Sequence, residues 1–151
     1  MFNIVILQPE IPQNTGNIAR ICACTGAKLH LVKPFKFEIT DAKLKRAGLD
    51  YWDKVGVVYY DNFDDFLSKN KNADMYFIET GTDKRYCDVS YPKGAYLIVG
   101  QETKGVPKEL LARYAERVVT IPMKSNVRSH NVANCVAIVL YEALRQHGFS
   151  F

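Results

Sequence analysis

Asn131 and Asn134 stand, with Arg128 and Ser129 just ahead of them, where a polar loop gives way to an apolar run. That run is Val132, Ala133, Cys135, Val136, Ala137, Ile138, Val139 and Leu140. A helix that is apolar all round is expected to be buried all round. Amides three residues apart share one face of such a helix. A buried amide without partners costs about 1–3 kcal/mol, so this pair at the helix mouth marks a site. A second set lies in Asn14-Thr15-Gly16-Asn17-Ile18-Ala19-Arg20. Asn17 and Arg20 share a face near a helix N-terminus, an arrangement that suits an anion such as RNA phosphate. The third is GQETKGVP, from Gly100 to Pro107. Gly100 ends a buried run, where ligands collect in open α/β sheets. Gly105 permits a tight turn, and Glu102 and Thr103 can bond neighbouring loops. Each set has a plainer reading: a capped helix with a solvated arginine, a strand-to-helix connection, a capped core helix. The last of these accounts for Ser129 but not for Asn134. A fourth set, Lys43, Lys45 and Arg46 followed by Ala47-Gly48-Leu49-Asp50-Tyr51-Trp52, combines cations with aromatics. It can grip RNA through phosphates and base stacking, or it is a charged helix face with a packed tryptophan.

Other chemistries are not encoded. There is no GxxxxGK[ST] and no GxGxxG, which argues against nucleoside triphosphate or dinucleotide binding. His30, His130 and His147 are scattered, and no hydrolytic triad spacing surrounds them. Asp64 and Asp65 fit a solvated helix face. Cys22, Cys24, Cys87 and Cys135 form no CxxC pair, so free thiols are expected rather than disulfides or a zinc site, and no metal is expected. The net charge of +4 is mildly basic, compatible with RNA without being diagnostic of it. No apolar run reaches membrane-span length, and the chain starts directly into a strand without a basic leader. A cytoplasmic protein with no membrane association is therefore expected.

The elements that must position these residues follow from short apolar runs. Strands are expected at Asn3–Leu7, Leu29–Val32, Val55–Tyr60, Met75–Ile78, Tyr96–Val99 and Val118–Ile121. Helices are expected from Asn14 to Thr25 with Gly26 as cap, from Asp41 to Ala47 behind Thr40, from Phe63 to Ser68, from Pro107 to Tyr114, and through the apolar run after Asn131. Strands alternating with helices predict a mostly parallel sheet with helices on both faces. At 151 residues, 48% of them apolar, the chain is expected to form one domain over 1–151 with a sizeable core.

Three ordered segments carry a resemblance over nearly the whole chain. PQNTGNIAR (Pro12–Arg20), LIVGQETKGVP (Leu97–Pro107) and IPMKSNVRSHNVANCVAIVLYEA (Ile121–Ala143) resemble the three motifs of the SPOUT class of methyltransferases, in its ribose 2′-O-methylating branch. With AGLDY (Ala47–Tyr51), the chain is most similar to the small subfamily that methylates the wobble ribose of certain tRNAs. The resemblance implies a C-terminal trefoil knot, S-adenosylmethionine as cofactor, tRNA as partner and a homodimer. It implies cofactor contacts from Ile78, Thr80, Gly100, Ile121, Met123, Ser129 and Asn134. It implies that Asn17, Arg20, Glu102, Ser129 and Asn131 face the reacting centre, and that Lys43, Lys45, Arg46, Tyr51 and Arg128 bind RNA. Arg20 matches an arginine often assigned as the base, but a guanidinium stays protonated, so holding a phosphate and stabilising the developing alkoxide suits it better. Methylation of another RNA such as ribosomal RNA, and a catalytically idle RNA- or cofactor-binding module, stay open as alternatives.

Overall fold

A computed structural model describes residues 1–38 and 52–151. Six strands, β1 (Asn3–Leu7), β2 (Lys28–Val32), β3 (Val57–Tyr60), β4 (Met75–Ile78), β5 (Tyr96–Val99) and β6 (Val118–Val119), form one sheet in the order β3-β2-β1-β5-β4-β6. All the pairings are parallel, with Ile4 opposite both Leu29 and Leu97 at the centre. Four α-helices are described: α1 (Pro12–Thr25), α2 (Phe63–Lys69), α3 (Lys108–Arg113) and α4 (Val132–Gln146).

The alternation of the strands splits the core into two layers. Ile4, Ile6, Leu29, Leu31, Leu97 and Val99 point to the side covered by α1 and α4, where Ile18, Cys22, Val136, Leu140 and Leu144 meet them. Val5, Leu7, Val32 and Ile98 point to the other side, against Phe66 of α2 with Leu110 and Leu111 of α3 packed at its margin. Both faces are therefore covered, as the unbroken apolar strands require.

Several boundaries differ from the sequence expectation. Helix α1 opens at Pro12, which takes the first turn where its missing N–H is no loss. Asn14 is thus inside the helix rather than its cap. Gly26 closes the helix at φ 71°, as expected. A 3₁₀ turn at Trp52–Lys54 shortens β3 at its start. Strand β6 has two residues, with a single bridge from Thr120 to Arg85 beyond it. Helix α2 is capped by Asn62, whose side chain accepts from the Asp65 N–H. The basic helix expected over 41–47 lies outside the described residues.

The expectation of all-round burial for α4 is corrected. Ala133, Val136, Val139, Leu140, Ala143 and Leu144 are buried, whereas Asn134 is exposed, Ala137 and Ile138 are half-buried, and Tyr141 is 45% exposed. One face packs on the sheet and α1, and the opposite face is left largely uncovered among the described residues. Among the described residues no helix is long and apolar enough to cross a membrane.

Candidate active site

Strand order reverses between β1 and β5: from β1 the chain runs outward through β2 and β3, then returns to the far side. Ligands bind outside the carboxyl ends of the strands at such a point. A cavity of about 460 Å³ opens there. Its walls come from the loops after β1, β4, β5 and β6 and from the start of α4.

Close backbone approach forms the β5 wall. Gly100 and Gly105 belong to a tight reversal in which Gln101 and Gly105 exchange N–H···O bonds of 3.1 and 2.8 Å. A Cβ on Gly100 would fall inside the van der Waals shell of the Gly105 carbonyl and the Val106 nitrogen. Gly105 has φ 67°, and a Cβ there would collide with the Glu79 carboxylate. Backbone crowding thus dictates glycine at 100, and the left-handed backbone dictates it at 105.

Three carboxylates hold this wall. Glu102 accepts from the Glu10 and Ile11 N–H groups at 3.0 and 3.1 Å and from Asn14 Nδ2 at 3.2 Å. Glu10 reciprocates, accepting from the Thr103 N–H at 2.9 Å, from Thr103 Oγ1 at 2.7 Å and from the Lys36 ammonium. The Lys36 and Thr103 bonds hold the Glu10 carboxyl far below the usual carboxylate range, at about 2. Glu79 accepts from the Thr80 N–H at 2.9 Å, from Thr80 Oγ1 at 3.4 Å and from the Val106 N–H at 2.8 Å. Neither Glu10 nor Glu79 was singled out by motif spacing. Their signal is a lone carboxylate just beyond an apolar strand.

Asn131 caps α4, its Oδ1 accepting from the Ala133 and Asn134 N–H groups at 2.9 and 3.4 Å. Its Nδ2 donates to Asn14 Oδ1 at 2.9 Å. The first and third motifs are thereby joined to the second in one chain, Asn131–Asn14–Glu102. The burial argument for the two amides is corrected: Asn131 and Asn134 are both exposed. Asn131 is explained by capping, and Asn134 by neither burial nor capping.

Of the residues expected in the site, Ile78, Thr80, Gly100, Glu102, Ile121, Met123, Arg128, Ser129 and Asn131 line the cavity together. Asn17 and Arg20 lie on the exposed side of α1, and they and Asn134 are outside that lining. Lys43, Lys45, Arg46 and Tyr51 fall outside the described residues. Cys135 lines the floor, its thiol pushed up to about 11 by burial and then by the Glu79 charge, so it is a poor nucleophile. His130 also lines the cavity.

Residues 1–141 match the model described as the SpoU rRNA Methylase family. The chain belongs to the SpoU family. A Geobacillus stearothermophilus relative is 52% identical over 151 residues, covering 97% of this chain and 96% of its own. The tRNA (cytidine(34)-2′-O)-methyltransferase of Saccharophagus degradans is 45% identical over 151 residues, covering 99% and 98%. A solved structure described as "Structural insights into the 2-OH methylation of C/U34 on tRNA" superposes with a TM-score of 0.92 at 40% identity, covering 99% of this chain and 98% of that one. The six-stranded parallel sheet with helices on both faces is thus the SpoU architecture, and the three sequence motifs are the loops and helix starts that enclose its cavity.

Proposed function

We propose that this chain transfers the methyl group of S-adenosylmethionine to the 2′-oxygen of the wobble ribose, nucleotide 34, in a tRNA anticodon loop. The observation that carries the reading is its end-to-end likeness to a protein named for that reaction, with the three motif segments gathered around one cavity. The lining suits an adenosyl group. Ile78, Ile121 and Met123 offer apolar surface, and Gly100 gives backbone access. Thr80 and Ser129 add hydroxyls.

Bound there, the cofactor supplies an electrophilic methyl on a positively charged sulfur. The protein's share is to hold the ribose hydroxyl in line and to dispose of its proton, and positioning alone accounts for much of such a rate. Arg20 holds a substrate phosphate and stabilises the developing alkoxide, with Asn17 beside it; the proton leaves through phosphate, water or a neighbouring side chain. Glu102 works as a positioning residue, because its two oxygens already accept three N–H groups. Asn131 and Ser129 orient the nucleotide from the start of α4. Arg128, which donates to the Thr103 carbonyl at 3.4 Å, and Lys43, Lys45, Arg46 and Tyr51 hold the anticodon stem-loop.

The same reading includes one domain over residues 1–151, a C-terminal trefoil knot, a homodimer and a cytoplasmic setting. One sheet that takes strands from Asn3 to Val119 supports the single domain. The face of α4 that the described residues leave largely uncovered supports the dimer. The test is to incubate total tRNA lacking the modification with protein and S-adenosylmethionine, then map 2′-O-methyl groups by mass spectrometry. Methyl groups are expected at position 34. Methylation confined to another tRNA position, or seen only on ribosomal RNA, would overturn the substrate while leaving the reaction type.

A further inference from the structure

We infer that Glu79 is a specificity-determining residue of the cavity: its carboxylate favours the positively charged methyl donor over the neutral thioether left after transfer. The inference rests on the cofactor reading above and goes beyond it by assigning the charge selectivity to one side chain. Three observations carry it. Glu79 lines the cavity with Ile78, the last residue of β4, and with Thr80 just beyond it. Its carboxylate is fixed rather than free to swing into solvent. One oxygen accepts from the Thr80 N–H and hydroxyl, and the other accepts from the Val106 N–H. The absence of a side chain at Gly105 is what leaves room for it. Two loops therefore hold a negative charge at the wall, and its field reaches the floor, where it acts on Cys135.

A fixed charge beside a small, partly water-excluded cavity acts more strongly than one on an open surface. The donor and its product share the adenosine, the amino group and the carboxylate. They differ in the methyl and in the charge on sulfur. When the S–CH3 bond breaks and the O–CH3 bond forms, the hydroxyl proton departs and the sulfur becomes a neutral thioether. A carboxylate in the wall therefore attracts the group before transfer and loses that attraction after it. This raises occupancy by the donor and eases departure of the product. Glu102, the other carboxylate in the lining, is held in a similar way, by N–H groups of the loop after β1 and the start of α1, so the wild-type response to a charged ligand is assigned to Glu79 by the Glu79→Gln comparison.

The experiment is calorimetric titration of the intact protein and Glu79→Gln with S-adenosylmethionine and with S-adenosylhomocysteine. In the variant, donor affinity is expected to fall about tenfold and product affinity no more than about twofold. Glu79→Asp, which keeps the charge, is expected to hold the wild-type ratio even where its shorter reach weakens both ligands. A measurement on wild-type protein alone stands beside the variants: an analogue bearing a protonated amine in place of the sulfonium should bind more tightly than the thioether. Equal weakening of donor and product in Glu79→Gln would assign the residue to holding the loops only and overturn the inference, as would an analogue that binds no better than the thioether. Failure of the wild-type protein to bind either ligand would overturn the cofactor reading itself, an outcome distinct from an unchanged ratio.

Discussion

Arg20 and His30 show how differently single residues are constrained in this chain. Arg20 is exposed on α1 and lies outside the cavity lining, so its proposed task concerns the RNA and not the cofactor. Arg20→Ala should therefore lower methyl transfer by about 100-fold or more, the loss typical of removing a donor that stabilises developing charge. Calorimetry with S-adenosylhomocysteine should give binding within about twofold of wild type, since the cavity is untouched. Loss of binding together with turnover would contradict the assignment. His30 is 4% exposed and sits in a closed polar network beneath the sheet. Asn3 Nδ2 donates to the Gly94 carbonyl at 2.8 Å, so Asn3 Oδ1 faces His30 Nε2 at 3.1 Å and requires a proton on that nitrogen. His30 Nδ1 must then accept from the Tyr60 hydroxyl at 2.9 Å, and Tyr60 in turn accepts from Asn70 at 3.2 Å. A second proton would turn Nδ1 into a donor and take from the Tyr60 hydroxyl hydrogen the acceptor it has there. Burial first and the Lys28 charge second push it down from 6.5 to about 4. Between pH 6.5 and about 4 the unfolded chain binds a proton that the folded chain refuses, so stability is complete above this window and falls as pH drops through it. The loss is at most about 3 kcal/mol. Urea denaturation at pH 7 and pH 4.5 should show a larger drop for wild type than for His30→Gln, in which the other titrating groups are unchanged.

At the scale of elements, the loop after β1 and the loop after β5 are joined by a reciprocal clasp: Glu102 reaches back to Glu10, Ile11 and Asn14, and Glu10 reaches forward to Thr103. Glu102→Ala strands two N–H groups at the entrance of α1 and an amide that is also bonded to Asn131. The expected loss is about 1–3 kcal/mol of stability, read as a lower urea midpoint, with weaker cofactor binding because the wall moves. An unchanged midpoint would mean that water replaces the carboxylate without penalty. The clasp also explains what could be read from the sequence. Strand positions, the parallel order and the two-sided covering were legible because they depend on local apolar runs and on the alternation of strand and helix. The cavity-lining segments were legible as three motifs. The start of α1 was not, because Asn14, a favourable cap by type, is drawn instead to Glu102 and Asn131, 88 and 117 residues away. Glu10 and Glu79 are not legible in the sequence for a related reason: each reaches a backbone N–H remote in the chain, that of Thr103 for Glu10 and that of Val106 for Glu79. Asn134 differs in the opposite direction, since its apolar neighbours predict burial on a face that the described residues leave open.

At the scale of the whole molecule, that open face is the strongest argument for a second copy. Helices α1 and α4 lie against each other on one side of the sheet, so residues pointing away from the sheet on both form one surface. Along α4 this surface runs through Asn134, Ala137, Ile138 and Tyr141, at positions i, i+3, i+4 and i+7 of one stripe. A largely apolar stripe of about two turns, continuous with a neighbouring helix, is the kind of surface that marks a protein interface. Asn17, Arg20 and Asn134, the proposed site residues missing from the cavity of the single chain, are exposed residues of these same two helices. Association across the stripe would therefore bring polar groups of one copy toward the cavity of the other, and substrate turnover should require it. Light scattering at micromolar concentration should give twice the 17.2 kDa chain mass for wild type. Ile138→Arg should give a monomer, because a guanidinium on the stripe would be buried without a partner in the dimer. Ile138 is only half-buried within the chain, so the monomer should stay folded, with an unchanged far-ultraviolet spectrum, while methyl transfer to tRNA is lost. A wild-type mass of one chain would remove the dimer, and with it the explanation for why Asn17, Arg20 and Asn134 stand outside the cavity. A monomeric but fully active Ile138→Arg would keep the interface and remove its catalytic role.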